Sequence, residues 1–152
     1  SEISGGIRNV TIRSCLMDNE NWSPLRFKSQ PSRGGTVENI TFEDITIKGA
    51  RSIFDINMEW RMVPPISPAH YPLTCLRNIH FKNINGEAQS AGTMYGFKEA
   101  PFGNDTFFSE NCHIKAQKGL SISNVANVNF KGLELEIKEG EKIYERSANK
   151  DK

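Results

Sequence analysis

A short motif recurs along this chain and limits its fold more than any other feature. Asn9-Val10-Thr11-Ile12-Arg13-Ser14-Cys15 is echoed by Asn39-Ile40-Thr41-Phe42-Glu43-Asp44-Ile45 and by Asn78-Ile79-His80-Phe81-Lys82-Asn83-Ile84. Asn127-Val128-Asn129-Phe130-Lys131-Gly132-Leu133 is a further copy, and a weaker one, its register slipped by about a residue, runs from Asn104 through Phe108 to Cys112 and Ile114. Each clear copy reads Asn, aliphatic, polar, apolar, two polar residues, then apolar. The leading Asn residues lie 30, 39 and 49 positions apart, and Asn104 splits the last gap into 26 and 23. Periods of that size belong to solenoids and propellers. Alternation of period two, rich in Val, Ile, Thr and Phe, makes each copy a short strand. Propeller blades have steadier lengths, so the unequal gaps favour a parallel β-helix, whose coils share a cross-section while their turns vary.

Alignment of the copies gives individual residues a place. Cys15 falls where other copies carry Ile45, Ile84 and Leu133, which makes it an inward apolar thiol; Cys112 takes the comparable place in the weak copy. With Cys75 there are three cysteines and no Cys-x-x-Cys, so neither a disulfide framework nor a zinc site is expected. Asn9, Asn21, Asn39 and Asn104 all head glycosylation sequons. Recurrence at one repeat position also suits a turn residue that tolerates left-handed backbone and stacks coil upon coil.

The expected organisation is coils over residues 1–138, with loop excursions near 57–72, where four prolines crowd, and 87–105, followed by a charged tail over 139–152. Long loops on a rigid solenoid are where binding surfaces sit. Nineteen basic residues against eighteen acidic leave +1 overall, so no global field selects nucleic acid. No apolar run approaches the roughly 20 residues a bilayer span needs. The chain starts without Met and reads as a segment of a larger protein, truncated at its N-terminal end.

Four segments stand in order along the chain: Ser1-Glu2-Ile3-Ser4-Gly5-Gly6-Ile7-Arg8-Asn9-Val10, Leu25-Arg26-Phe27-Lys28-Ser29, Gly34-Gly35-Thr36-Val37-Glu38-Asn39-Ile40 and Lys115-Ala116-Gln117-Lys118-Gly119-Leu120. Together they resemble family 28 glycoside hydrolases, the polygalacturonases and their rhamnogalacturonan-cleaving relatives. The resemblance spans about Ser1 to Gly140. It implies an all-β fold, a right-handed parallel β-helix of the pectin lyase-like kind, with a substrate cleft across one face. It also implies inverting hydrolysis of α-galacturonosyl linkages, carried by Asn-Thr-Asp, Asp-Asp, Gly-His-Gly and Arg-x-Lys motifs in that order. Only the last is present, as Arg26-Phe27-Lys28. The catalytic aspartates and histidine are then expected upstream, this segment carries no catalytic residue, and alone it should be inactive. The implied partner is acidic plant cell-wall polysaccharide, galacturonan or rhamnogalacturonan, and the implied location secreted or periplasmic. No cofactor and no metal is implied.

Physical chemistry agrees about Arg26 and Lys28. Positions i and i+2 of a strand share a face, so both cations project together. A guanidinium fork grips a carboxylate at two points, and the ammonium adds a point charge. Without the resemblance, the same pair would read as solvated decoration. Inverting hydrolysis needs two carboxyl groups about 6.5–9.5 Å apart. No such pair is evident: Glu43 and Asp44 are strand neighbours facing opposite ways, and Asp18, Glu20, Asp55 and Glu59 are cleft carboxylates by position alone. Trp60 and Trp22 either stack on sugar rings or anchor loops. His70, His80 and His113 read as surface histidines, and Lys115 and Lys118 as decoration of a turn.

Three functions compete on this reading: a substrate-binding part of a pectin-degrading hydrolase, a non-catalytic module holding acidic polysaccharide, and a purely structural solenoid. An open first coil also exposes apolar surface and unpaired strand edges, so self-association through the N-terminal end is expected.

Overall fold

A computed structural model describes residues 5–18 and 22–147. Seven strands make up the chain: β1 Gly6–Met17, β2 Leu25–Lys28, β3 Thr36–Asn57, β4 Cys75–Tyr95, β5 Phe107–Glu110, β6 Cys112–Ser123 and β7 Leu133–Glu145. Every pairing is parallel, in the order β1-β3-β4-β6-β7, with β2 added against β3 and β5 against β4. The expected parallel β-helix is the fold. Among the described residues no helix is long and apolar enough to cross a membrane.

Strands of 22 and 21 residues cannot run straight in a body this size, and the recurring Asn explains how they turn. Asn9, Asn39 and Asn78 have φ of 59°, 57° and 55°, and a second set, Ser14, Asp44, Asn83 and Asn111, lies between 51° and 56°. Left-handed backbone costs most residues about 1–2 kcal/mol, and Asn and Asp bear it best through local hydrogen bonds. Here those bonds run between coils. Asn39 Nδ2 donates to Asn9 Oδ1 at 3.0 Å, and Asn78 Nδ2 to Asn39 Oδ1 at 2.7 Å. Asn83 Nδ2 donates to Asp44 at 2.9 Å, and Asn111 Nδ2 to Asn83 at 2.8 Å. Each coil thus has two corners, and side-chain amides stitch Asn9 to Asn39 to Asn78 along one and Asp44 to Asn83 to Asn111 along the other. Outside the corners, Glu38 lies between Arg77 and Arg8 of the flanking coils, and their hydrogen bonds hold its carboxyl below the usual carboxylate range.

Residues between corners alternate, and their apolar members stack into continuous inner columns. Cys15, Ile45 and Ile84 pair in register, and Cys112 continues the column to Leu133. Both thiols therefore occupy the inward place read from the repeat. Cys112 is fully buried, its Sγ donates to the Phe81 carbonyl at 3.2 Å, and burial pushes its thiol pKa up. Phe81 is the centre of the interior, with Phe42 stacked at 5.6 Å, Phe54 edge-on at 5.0 Å and Phe107 at 6.1 Å.

Several boundaries differ from the sequence reading. Residues 87–95, placed there in a loop, are the second half of β4, and the irregular path is confined to 96–106. Gly92 makes this possible: its φ is 118°, and a Cβ there would strike the Phe54 carbonyl of the neighbouring coil. The weak copy starts at Thr106, not Asn104, because Ile79 pairs with Phe107. Residues 127–130 form no strand, so the last copy contributes only from Leu133 onward, and β7 runs seven residues into the proposed tail, to Glu145. Lys115 and Lys118 lie on β6 and face Glu136 and Glu139 of β7; they do not decorate a turn. Asp44 sits at a left-handed corner, so it does not simply alternate with Glu43.

The two ends of the stack are open. At the β1 end, Ile7 and Val10 are 49% and 36% exposed, although their counterparts Val37 and Ile40 one coil on are buried; Leu16, 60% exposed, lies in register with the exposed Thr46 and points outward. At the other end a cavity of about 600 Å³ lies against Leu133, Leu135, Ile137 and Ile143 of the last coil.

Candidate functional site

β2 is only four residues long, and its alternation does what the i, i+2 spacing requires. Leu25 is fully buried and Phe27 packs on the core, leaving Arg26 and Lys28 on the outer face. Pairing with β3 sets Arg26 beside Asp55 and Lys28 beside Asn57. Arg26 Nε lies 2.9 Å from Asp55 Oδ2. Such a partly exposed pair is worth at most about 1 kcal/mol, so its main effect is to hold the guanidinium in one orientation.

Trp60 completes the arrangement. Its indole lies under both cations, 4.7 Å from Arg26 Cζ and 4.9 Å from Lys28 Nζ. Its backbone N–H donates to the Ser29 carbonyl at 2.8 Å, which pins the start of the excursion to the end of β2. The three residues singled out from the sequence as substrate-binding therefore meet at one place. Trp60 meets the cations first: its ring is their platform. A groove of about 430 Å³ opens beside it, between Gln30 and Pro31 on one side and residues 59–65 on the other.

A buried polar network fixes this proline-rich wall. Gln30 Nε2 donates to the Val63 and Pro64 carbonyls at 2.9 and 3.3 Å, and Ser32 Oγ donates to Gln30 Oε1 at 2.6 Å. Ser32 Oγ also accepts from the Ile66 N–H at 3.0 Å, and an Arg33 guanidinium nitrogen donates to the Pro64 carbonyl at 3.2 Å. These hydrogen bonds fix the wall. The buried indole Nε1–H of Trp60 has no hydrogen-bond partner among the described residues, and its backbone bond to Ser29 and the two cations hold the platform. Wall and platform are thus built before any ligand arrives.

The same outer face continues along the stack. Arg26, Asp55, Thr93, Ser121 and Tyr144 form one row, and Lys28, Asn57 and Tyr95 begin the next. Tyr95 Oη lies 3.0 Å from Ser121 Oγ, and Arg146 Cζ lies 4.4 Å over the Tyr95 ring. Arg146 also approaches Glu59 at 3.6 Å. Sequence reasoning missed Tyr95, Arg146 and the pairing of Asp55. Their only signal is the register between coils, which the unequal gaps conceal.

Other sequence candidates fall elsewhere. Trp22 is 59% exposed and carries Arg51 over its ring at 4.3 Å. His80 stacks on Phe108 at 4.9 Å and bonds Asn78; its partial burial, with Lys82 nearby, lowers its pKa. His113 bonds Asn111 and pairs with Glu134. His70 is exposed and donates its backbone N–H to the Ser32 carbonyl. Glu20 and Asn21 lie outside the described residues. Among the described residues, no group of three or more His, Cys, Asp or Glu could hold a metal ion.

Chemically, this face offers cations, hydroxyls and amides to an anionic, hydroxyl-rich ligand. Its two nearest carboxylates, Asp55 and Glu59, are each committed to an arginine. No curated protein and no solved structure matches the chain. A family model does: that of glycosyl hydrolases family 28, which matches residues 3–132 of the 152, spanning the strand of Arg26 and Lys28 and six of the seven strands. Parallel coils and a match over most of the length agree, and the chain belongs to glycosyl hydrolase family 28.

Proposed function

We propose that this chain is the substrate-holding part of a polygalacturonase-like hydrolase, binding acidic pectic polysaccharide across the outer face of β2, β3 and β4. The observation that carries the reading is the pair of cations on β2, oriented by Asp55 and seated on Trp60. A galacturonan chain offers a carboxylate on every sugar, and a guanidinium fork beside an ammonium suits such a ligand. The acid–base pair that inverting hydrolysis requires is supplied from outside these 152 residues, which contain neither an Asp-Asp pair nor a Gly-His-Gly motif. Because its substrate is a wall polymer, the protein works outside the cytoplasm, secreted or periplasmic.

One observation favours the second reading, a module that binds without cleaving: both carboxylates of the face are paired with arginines. Calorimetry with oligogalacturonides, alongside a reducing-sugar assay on the same sample, tests both. Saturable binding without release of reducing ends is the expected result. Absence of binding would overturn the sugar reading, and turnover would show that a carboxylate pair works within this chain.

Self-association is a further proposal, through the edge of β1, where Ile7 and Val10, whose counterparts one coil on are buried, stand exposed on a strand that pairs on one side among the described residues. Light scattering on the isolated chain should give a mass above 17.1 kDa that falls toward the monomer in Val10→Lys. A monodisperse monomer would contradict it.

A further inference from the structure

The Arg26 arrangement has a counterpart farther along the face. Arg26 is paired with an acid, Asp55, and lies over an aromatic ring, Trp60. Arg146 is paired with an acid, Glu59, and lies over an aromatic ring, Tyr95. The two are joined, since Glu59 and Trp60 are adjacent and Glu59 is itself fixed by its backbone N–H on Asn57 Oδ1 at 2.8 Å. Tyr95 stands in the row of Lys28 and Asn57, two strands from β2, roughly 10 Å at the usual strand spacing. Between and beyond them the outer face carries Asn57, Thr93 and Ser123, all short and polar, while Ser121 is buried and bonded to Tyr95 Oη.

We propose that Arg146 and Tyr95 form a second carboxylate-reading point, so that the face holds an acidic oligosaccharide at two places along the solenoid axis and prefers long chains to short ones. The inference rests on the proposed sugar-binding function. A guanidinium carries five N–H donors and can serve a side-chain acid and a ligand carboxylate together. Tyr95 keeps the guanidinium flat against the face, and Glu59 keeps it from swinging to solvent. Arg146 follows directly after β7, and its N–H donates to the Ile122 carbonyl at 2.8 Å, so the last strand carries the residue into place. The short polar side chains between the two arginines leave room for sugar rings and meet their hydroxyls. A ligand too short to span the gap gains from one point only; a longer one gains from both.

Calorimetry on the 152-residue chain with unesterified oligogalacturonides, from dimer to hexamer, tests this. Affinity should rise with length in the unmodified chain, and Arg146→Gln should erase that rise, weakening the hexamer about tenfold and leaving the dimer unchanged. Arg146→Lys should recover only part of it. Equal weakening at all lengths, or an unaffected hexamer, would overturn the proposal. A readout on the unmodified chain decides independently of whether the variants fold: the Arg146 Nε–H resonance should shift with hexamer and stay still with dimer, and the reverse would sink the idea. If no oligogalacturonide of any length binds, the sugar-binding function fails as well; if the dimer binds and length has no effect, only the second point fails.

Discussion

Phe81→Ala is expected to destabilise the chain by about 3–5 kcal/mol, the range for emptying a buried aromatic site. Domains of this size are held by only about 5–15 kcal/mol in total, so the variant should lose a large fraction of its stability. Phe81 is fully buried, and it does more than fill volume. It stacks on Phe42 of the preceding coil at 5.6 Å and on Phe107 of the following one at 6.1 Å. It also meets the edge of Phe54 at 5.0 Å. In a solenoid, stability is a sum of coils and the interfaces between them, and this ring belongs to two interfaces at once. Phe108 provides the control: it follows Phe107 on β5, is 41% exposed and stacks on His80. Phe108→Ala should cost well under 1 kcal/mol, since substitutions at such sites stay small. Urea unfolding followed by circular dichroism reads both. A Phe81→Ala midpoint near that of the unmodified chain would mean that the neighbouring rings close the cavity, and that the aromatic stack is not what couples the coils.

The inner columns were legible because they depend on side-chain type. Apolar residues must recur wherever a coil faces inward, so Cys15, Ile45, Ile84, Cys112 and Leu133 align whatever the loop lengths between them. The first Asn ladder was legible for the same reason. The second was not, because Ser14, Asp44, Asn83 and Asn111 share a backbone angle and no single side chain. Residues 87–95 concealed their strand in small residues, Ala88, Ser90, Ala91 and Gly92, which carry no alternation of their own. They are strand because β3 and β6 flank them and supply both sets of partners. The second half of β7 was hidden by its charges: beyond Lys138 it carries Glu139, Glu141, Lys142 and Glu145, all exposed, and the buried Leu133 and Leu135 lie only in its first half.

The site divides along the same line. Arg26 and Lys28 were readable as two residues of one strand, a relation two positions long. Trp60 was placed near them only by resemblance, and its seat beneath both cations depends on the Ser29 carbonyl that anchors it. Asp55 and Arg146 reach the face through pairing across one coil or several. That register depends on excursions of different lengths, and no local pattern records it.

Arg26→Ala should weaken binding of oligogalacturonides about 30- to 100-fold, the largest functional effect expected in this chain. A bidentate hydrogen bond between charged groups contributes about 1.5–3 kcal/mol, and each 1.4 kcal/mol is tenfold in affinity. Arg26→Lys should recover little, because an ammonium cannot reproduce the planar fork and is more strongly hydrated. Lys28→Ala removes a more exposed point charge and should cost less, about three- to tenfold, with most of that loss disappearing at high salt. Asp55→Asn separates charge from orientation. It keeps the cation and removes an opposing negative charge, so simple Coulomb reasoning makes binding tighter. If the acid's role is to fix the guanidinium over Trp60, binding becomes weaker instead, since the fork must then be ordered by the ligand at the cost of its side-chain entropy. Calorimetry of the four variants against one oligomer distinguishes these cases, with thermal midpoints confirming that each remains folded. Weaker binding in Asp55→Asn together with Arg26→Ala would establish that the face reads its ligand by oriented hydrogen bonds. Unchanged affinity in both Arg26→Ala and Lys28→Ala would remove the cation pair from the binding site and, with it, the main support for a pectic ligand.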